Sequence, residues 1–259
     1  MGGSMNWATL GRFSARASLA LLFWGIASNT AWTQQNSHQI DAKPLVNVED
    51  KDDITKSESK VWVLNLRFDE PRLITVDIPA RGRRLCWYLR YEILNQTKEP
   101  RTFIPKFELV TTDQPGHVYV DQVLPKAQEA IREQEDPLNH LTILNSQTIS
   151  EKPIPVSRPG GPPKPVTGVA IWDDVPADAN RFSIFVNGLS NGYSLAEIPP
   201  DNKQIVRSKT LQLNFKRVGD RFNQQTGDIK FVPPVEWVYR ATGVVLPASS
   251  AAAAMSGKK

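Results

Sequence analysis

The sequence predicts an all-β fold, an antiparallel β-sandwich carrying one short inserted helix and a proline-rich loop. Three observations predict it. Apolar and polar residues alternate with a period of two in several short stretches, as they must when successive side chains point to opposite faces of a sheet. Turn-forming residues separate those stretches. Strand and helix patterns do not alternate in the way a parallel α/β sheet requires. The 259 residues, 40% hydrophobic and 22% charged, hold enough apolar material for a substantial core.

Residues 1–33 read as a secretory signal peptide. Arg12 and Arg16 precede an apolar run from Ala17 to Ala27, no acidic residue occurs before Asp41, and small residues follow. The run is shorter than the ~20 apolar residues of a spanning helix. The expectation is export to the periplasm or the exterior, with cleavage after Ala27, Ala31 or Thr33 and no integral membrane span thereafter. Residues 34–60, with Glu49-Asp-Lys-Asp-Asp53, are polar and poor in aromatics and read as a flexible leader.

The β-sandwich domain is expected over 61–240. In its first strand Trp62, Leu64, Leu66 and Phe68 share a face. A second runs from Leu73 to Ile78 and stops at Pro79. From Arg84 to Leu94, Leu85, Trp87, Leu89, Tyr91 and Ile93 face one way, while Cys86, Tyr88, Arg90 and Glu92 face the other. Phe103, Pro105, Phe107 and Leu109 continue the alternation, and the proline there predicts an edge strand or a bulge. A helix is predicted at about 125–135: Pro125 fits a first turn, Ala127, Ala130 and Ile131 make an apolar stripe, and Asp136-Pro137 ends it. Residues 153–165 carry six prolines and two glycines and form a stiff loop, because proline removes donors from any ladder. Strands resume at Val169–Trp172, Arg181–Val186, Ile205–Lys216 and Val235–Arg240. Asp220–Asp228 has the composition of a loop between paired strands. The Ala- and Ser-rich residues 241–259 read as a disordered tail.

Charge excludes a global attraction to nucleic acid. The net charge of +4 is accounted for by Arg12, Arg16, Lys258 and Lys259, so the intervening body is about neutral. Arg81-Gly-Arg83-Arg84 reads as a solvated turn. Cys86 is the only cysteine, which rules out an intramolecular disulfide and leaves the core to hold an exported domain together.

The sharpest chemical signal is Gly188-Leu-Ser-Asn-Gly192, a match to the G-x-S-x-G nucleophile elbow. An elbow needs a helix directly after the serine, and Pro199-Pro200 leaves no room for one. The histidine of that triad order follows the serine, whereas His38, His117 and His140 all precede Ser190. Asn187-Gly188 and Asn191-Gly192 are turn dipeptides, so a turn or hairpin tip is the expectation. Asp173, Asp174, Asp178 and Asn180 gather oxygen ligands of the kind calcium takes, without EF-hand spacing; they are the candidate metal loop. The histidines lack zinc spacing, and neither a P-loop nor a dinucleotide fingerprint occurs. No catalytic residues and no cofactor other than calcium are nominated. Trp62, Trp87, Trp172 and Trp237 are expected in the core, with a sugar-stacking platform as the alternative for any that face outward.

The stretch GVAIWDDVPADANRFSIFVNGLSNGY, followed by KTLQLNFKRVGDRF, resembles segments of uncharacterised exported bacterial proteins with a predicted immunoglobulin-like β-sandwich. The resemblance spans about Trp62 to Tyr239. It implies an immunoglobulin-like sandwich without the paired cysteines of antibody domains, and it carries no catalytic residue or ligand. The resulting expectation is a non-catalytic exported module that binds a protein or glycan of the cell envelope or serves as a structural part of it. The alternatives are a hydrolase with a carboxylate-based site and a calcium-stabilised adhesion module.

Overall fold

A computed structural model of the chain describes residues 37–40, 61–112, 117–198, 203–219 and 228–246. In chain order its elements are β1 (Ser37–Ile40), β2 (Asn65–Asp69), β3 (Arg72–Ile78), β4 (Gly82–Leu94), β5 (Lys106–Thr111), β6 (Val118–Val120), α1 (Pro125–Glu135), β7 (Val166–Trp172), β8 (Arg181–Asn187), β9 (Tyr193–Ile198), β10 (Lys203–Arg217) and β11 (Ile229–Leu246). They belong to the compact unit Gln35–Lys259. The strands form two antiparallel sheets around a shared core, an all-β sandwich.

The first sheet is organised by β4, whose thirteen residues pair with β7 on one edge and with β2 and β3 on the other. β2 and β3 amount to one strand with a bulge. Phe68 faces Tyr91 and Arg72 faces Tyr88, so Asp69, Glu70 and Pro71 lie against only Leu89 and Arg90. Pro71 has no N–H to give, which breaks the ladder there. Glu70 is freed by the bulge to reach the second sheet, where it accepts from Lys230 Nζ at 2.9 Å and from the Phe231 N–H at 3.3 Å.

The second sheet runs β11–β10–β8–β5–β6, with β9 also on β10. Inward residues of both sheets fill the core: Trp87, Leu89, Tyr91, Ile93 and Trp172 meet Phe107, Leu109, Phe182, Ile184, Leu213 and Phe215, all of them buried. Trp87 stands edge-on to Phe182 at 5.3 Å, and Phe182 stacks on Phe215 at 5.4 Å. Gly168 is required by the ring beside it. A Cβ at that position would lie 2.4 Å from Tyr91 Cζ, its cross-strand partner.

The opposite face of β4 is also covered. Ala127 and Ile131 of α1, with Leu124 just before it and Ile143, pack on Ile78, Cys86, Tyr88, Val169 and Ile171, giving helix, sheet and sheet as three layers. The Cys86 thiol is buried there, and burial pushes its pKa up to about 11. It behaves as a small apolar side chain.

Several expectations change. Pro105 lies just outside β5, which sits between β8 and β6, so its strand is neither an edge nor bulged by that residue. The stretch 153–165 is a loop, but Ile154 is buried and bridges Arg101, while the Ser157 N–H donates to Asn95 O at 2.7 Å. β1 falls within 34–60, expected as leader, and β11 continues to Leu246, inside the expected tail. The expected signal segment, 1–33, and the tail beyond Leu246 lie outside the described residues.

Candidate functional site

The stretch around Ser190 joins the two sheets. β8 and β9 pair with the same edge of β10 and run in the same direction. Leu211 faces Val186 and Ser208 faces Tyr193, so Lys209 and Thr210 lie opposite the six residues 187–192. The surplus leaves the ladder and crosses to the first sheet as a strap, Gly188–Gly192. There Ser190 bridges Val63, Leu189 O accepts from the Leu64 N–H at 2.7 Å, and Asn191 Oδ1 accepts from the Trp62 N–H at 2.8 Å. Leu189 is fully buried between the sheets.

The chain therefore does not reverse at Asn187-Gly188 or Asn191-Gly192, contrary to the hairpin expectation. The two glycines serve the crossing differently. Gly188 has φ +93°, and a Cβ on it would sit 2.3 Å from Ile104 O. Gly192 returns the strap to β10, where its carbonyl accepts from the Lys209 N–H at 2.9 Å. Ser190 does not sit in the strand-turn-helix layout of a nucleophile elbow. Its Oγ accepts from the Gly192 N–H at 3.0 Å, and a strand follows it instead of a helix.

Two tryptophans flank the strap. Trp62 is half-buried on the core and carries the Arg101 guanidinium 5.5 Å from its ring centre. On the other side Trp237 is also half-buried on the core, with Lys209 Nζ at 5.7 Å. Trp87 and Trp172 are wholly buried, so the core expectation holds for two of the four and partly for the others. Around the strap Val61, Ile104 and Tyr193 are exposed, Ile104 to 69%. The end of the sandwich is thus a mixed surface of rings, aliphatic side chains and two cations. Sequence reading missed Arg101 and Lys209. The pattern offers no signal that a distant cation will lie over a given ring.

The candidate metal loop is spread out. Asp173 is buried and bonded to Arg81 at 2.6 Å, and the same guanidinium reaches Gln122 at 2.8 Å. Asp174 and Asp178 are exposed, and Asn180 is half-buried with its carbonyl on the Arg217 N–H at 2.7 Å. Burial, reinforced by Asp173, raises the pKa of Asp174. Among the described residues no group of three or more His, Cys, Asp or Glu side chains is gathered to hold a metal. Arg81, expected as a solvated turn residue, is thereby tied to this loop; Arg83 and Arg84 are exposed.

A denser cluster lies between α1 and the first sheet. Arg90 bonds Asp69 at 2.6 Å and Glu92 at 3.2 Å, Arg67 bonds Glu92 at 3.0 Å, and Arg72 bonds Glu135 at 2.6 Å. Tyr88 Oη donates to Glu135 at 2.6 Å and accepts from Gln134 at 3.0 Å. Asp69 and Glu135 approach a carboxylate pair, but each is buried against its own arginine. Burial raises the pKa of Asp69 against the lowering effect of Arg90. The network fastens the C-terminal turn of α1 to the sheet.

A shallow hollow of about 300 Å³ lies at that end of α1, lined by Arg132, Glu133, Asp136, Pro137 and Asn139. Comparison with protein families, with curated proteins and with solved structures gives no match.

Proposed function

We propose that this chain is a non-catalytic exported β-sandwich protein, immunoglobulin-like in broad architecture, that binds a protein or glycan of the cell envelope through the strap end. One observation carries the reading: on each flank of the strap a half-buried tryptophan is paired with a cation. A ring held rigid by the core presents apolar area at little entropic cost, and an adjacent ammonium or guanidinium adds attraction for carboxylate or sulfate. Acidic glycans and acidic protein segments combine those two features. The strand that follows Ser190, where a nucleophile elbow places a helix, supports a role without covalent catalysis. Export rests on the signal-like residues 1–33, and the immunoglobulin-like assignment is supported by two antiparallel sheets facing each other across Trp87 and Trp172.

The test is binding of the full-length chain to immobilised acidic polysaccharides and acidic peptides by surface plasmon resonance. Trp62→Ala and Trp237→Ala are each expected to weaken binding about tenfold or more. Binding that both variants retain in full refutes the strap end as the recognition surface.

A further inference from the structure

A strip of polar side chains begins where the strap ends. β10 keeps its alternation from Arg207 to Phe215, because its register with β11 is unbroken over Arg207–Gln212 and its register with β8 over Leu211–Lys216. Arg207 and Lys209 therefore share a face with the core residues Leu211, Leu213 and Phe215. The position of Lys209 Nζ agrees, since it lies over the ring of Trp237, itself packed on the core. Here the strand runs off the end of the core: Leu211 is buried, whereas Lys209 and Arg207 are half-buried. Ser194 joins the strip from β9, directly opposite Arg207 and hence on the same face.

This strip lacks acceptors. Among the described residues neither Arg207 nor Lys209 has a carboxylate partner, and Glu236, which faces Gln212, stands on the other side of the sheet. By contrast Arg72, Arg81 and Arg90 each bond a carboxylate at 2.6 Å. Ser194 is 0% exposed and its Oγ has no hydrogen-bond partner among the described residues; the buried Nε of Arg207, across from it, has none either. Two buried donors side by side without an acceptor are destabilising until one arrives. An anionic oxygen is the acceptor that also answers the uncompensated charge.

We propose that Ser194 and Arg207 form a subsite for one acidic group, a carboxylate or a sulfate ester, of a polysaccharide that continues over Lys209 and Trp237 onto the strap. The proposal rests on the strap end as the recognition surface and adds to it a named anion site. The guanidinium presents its N–H fork to two oxygens of the group, and the Ser194 hydroxyl donates to one of them. Arg207 is half-buried, so the group approaches from the solvent side. Lys209 meets the next acidic group along the chain, and Trp237 beside it supplies apolar area for a sugar ring. The strip selects a polysaccharide over an acidic peptide because it is a sheet face: it offers side chains, whereas an extended peptide binds by pairing its backbone at a sheet edge.

Surface plasmon resonance of the full-length chain on immobilised polygalacturonate, dextran sulfate and polyglutamate tests the proposal, the first two separating carboxylate from sulfate. The wild type is expected to bind at least one of the polysaccharides more tightly than polyglutamate. Arg207→Ala should weaken that binding about tenfold or more, and Arg207→Lys, which keeps the charge and loses the fork, should not restore it. Ser194→Ala should weaken it about threefold or more while the urea midpoint stays or rises, because the hydroxyl it removes has no partner in the unbound chain. Arg84→Ala, at an exposed arginine of the first sheet, should leave it unchanged. Full binding by Arg207→Lys, an equal loss in Arg84→Ala, or a preference for polyglutamate overturns the subsite. If Trp62→Ala and Trp237→Ala weaken binding while Arg207→Ala and Ser194→Ala do not, the subsite falls and the strap-end reading stands. A chain that binds none of the three polymers overturns both.

Discussion

The two glycines of the strap should respond very unequally to the same substitution. In Gly188→Ala the new methyl meets Ile104 O at 2.3 Å, and that oxygen belongs to the backbone and cannot rotate away. Residue 188 also sits at φ +93°, where an L side chain is strained by about 1–3 kcal/mol. Forcing the strap and the Ile104 segment apart adds an overpacking cost of about 1–3 kcal/mol. Together these give about 2–6 kcal/mol. In Gly192→Ala the nearest atoms are Lys209 Cδ at 3.2 Å and Ser190 Oγ at 3.3 Å, side-chain atoms that need give by only a few tenths of an ångström. Its expected cost is below about 1 kcal/mol. Urea unfolding followed by tryptophan fluorescence measures both, with Trp87 and Trp172 as buried reporters. Equal destabilisation by the two variants, or a neutral Gly188→Ala, refutes the account of the strap as a crossing held by one obligatory glycine.

The strap's anchor should be equally sensitive: Leu189→Ala empties a fully buried site between the sheets and is expected to cost about 2–5 kcal/mol in the same titration. Gly168→Ala, which drives a methyl into the enclosed Tyr91 ring beside Phe107 at 4.7 Å, should destabilise by about 3 kcal/mol or more. Tyr91→Phe should instead be neutral or stabilising by up to about 1 kcal/mol, because Tyr91 Oη is buried with no hydrogen-bond partner among the described residues. Asp121 and Asp136 should give opposite acid responses, read as urea midpoints between pH 3 and pH 7. Burial raises the folded pKa of Asp121 despite its bonds from the Phe107 N–H and Ser146, so its contribution strengthens as pH falls through that raised value; Asp121→Asn should remove the gain. Bonds from the Leu141 and His140 N–H groups lower the folded pKa of Asp136, so its contribution is present above the ordinary carboxylate value and is lost below it; Asp136→Asn should flatten that loss.

Much of the architecture was legible because Leu85, Trp87, Leu89, Tyr91 and Ile93 of β4 recur every second residue on the core face, and because Pro125 and Asp136 bracket a helix whose Ala127 and Ile131 share a face. The strands that escaped notice are those without such a signature. β6 has three residues, and β9 carries Ser194, Ala196 and Glu197, whose places are set by pairing with β10. Pro105 misled because alternation continues through it: Phe103 is buried like a strand residue although the ladder begins at Lys106. The site was half visible. Composition points to a change of chain direction around Gly188 and Gly192, but a hairpin and a crossing use the same residues, and only Gly188 takes up a positive φ. The deciding contacts, Leu64 to Leu189 and Trp62 to Asn191, join positions more than a hundred residues apart. Cations over rings are equally silent in a linear pattern, since Arg101 and Trp62 are brought together by the fold alone.

A segment fixed in one layer at both ends and tied to the other layer at its middle acts as a stitch. Two sheets packed face to face deform most easily by sliding, and any such shear pulls directly on Gly188–Gly192. With a single cysteine in the chain, this domain gains one cross-layer fastener here, from one backbone hydrogen bond, one asparagine and one leucine, beside the Glu70 bonds to Lys230 and Phe231. Whatever grips the outside of that stitch is mechanically connected to both layers at once.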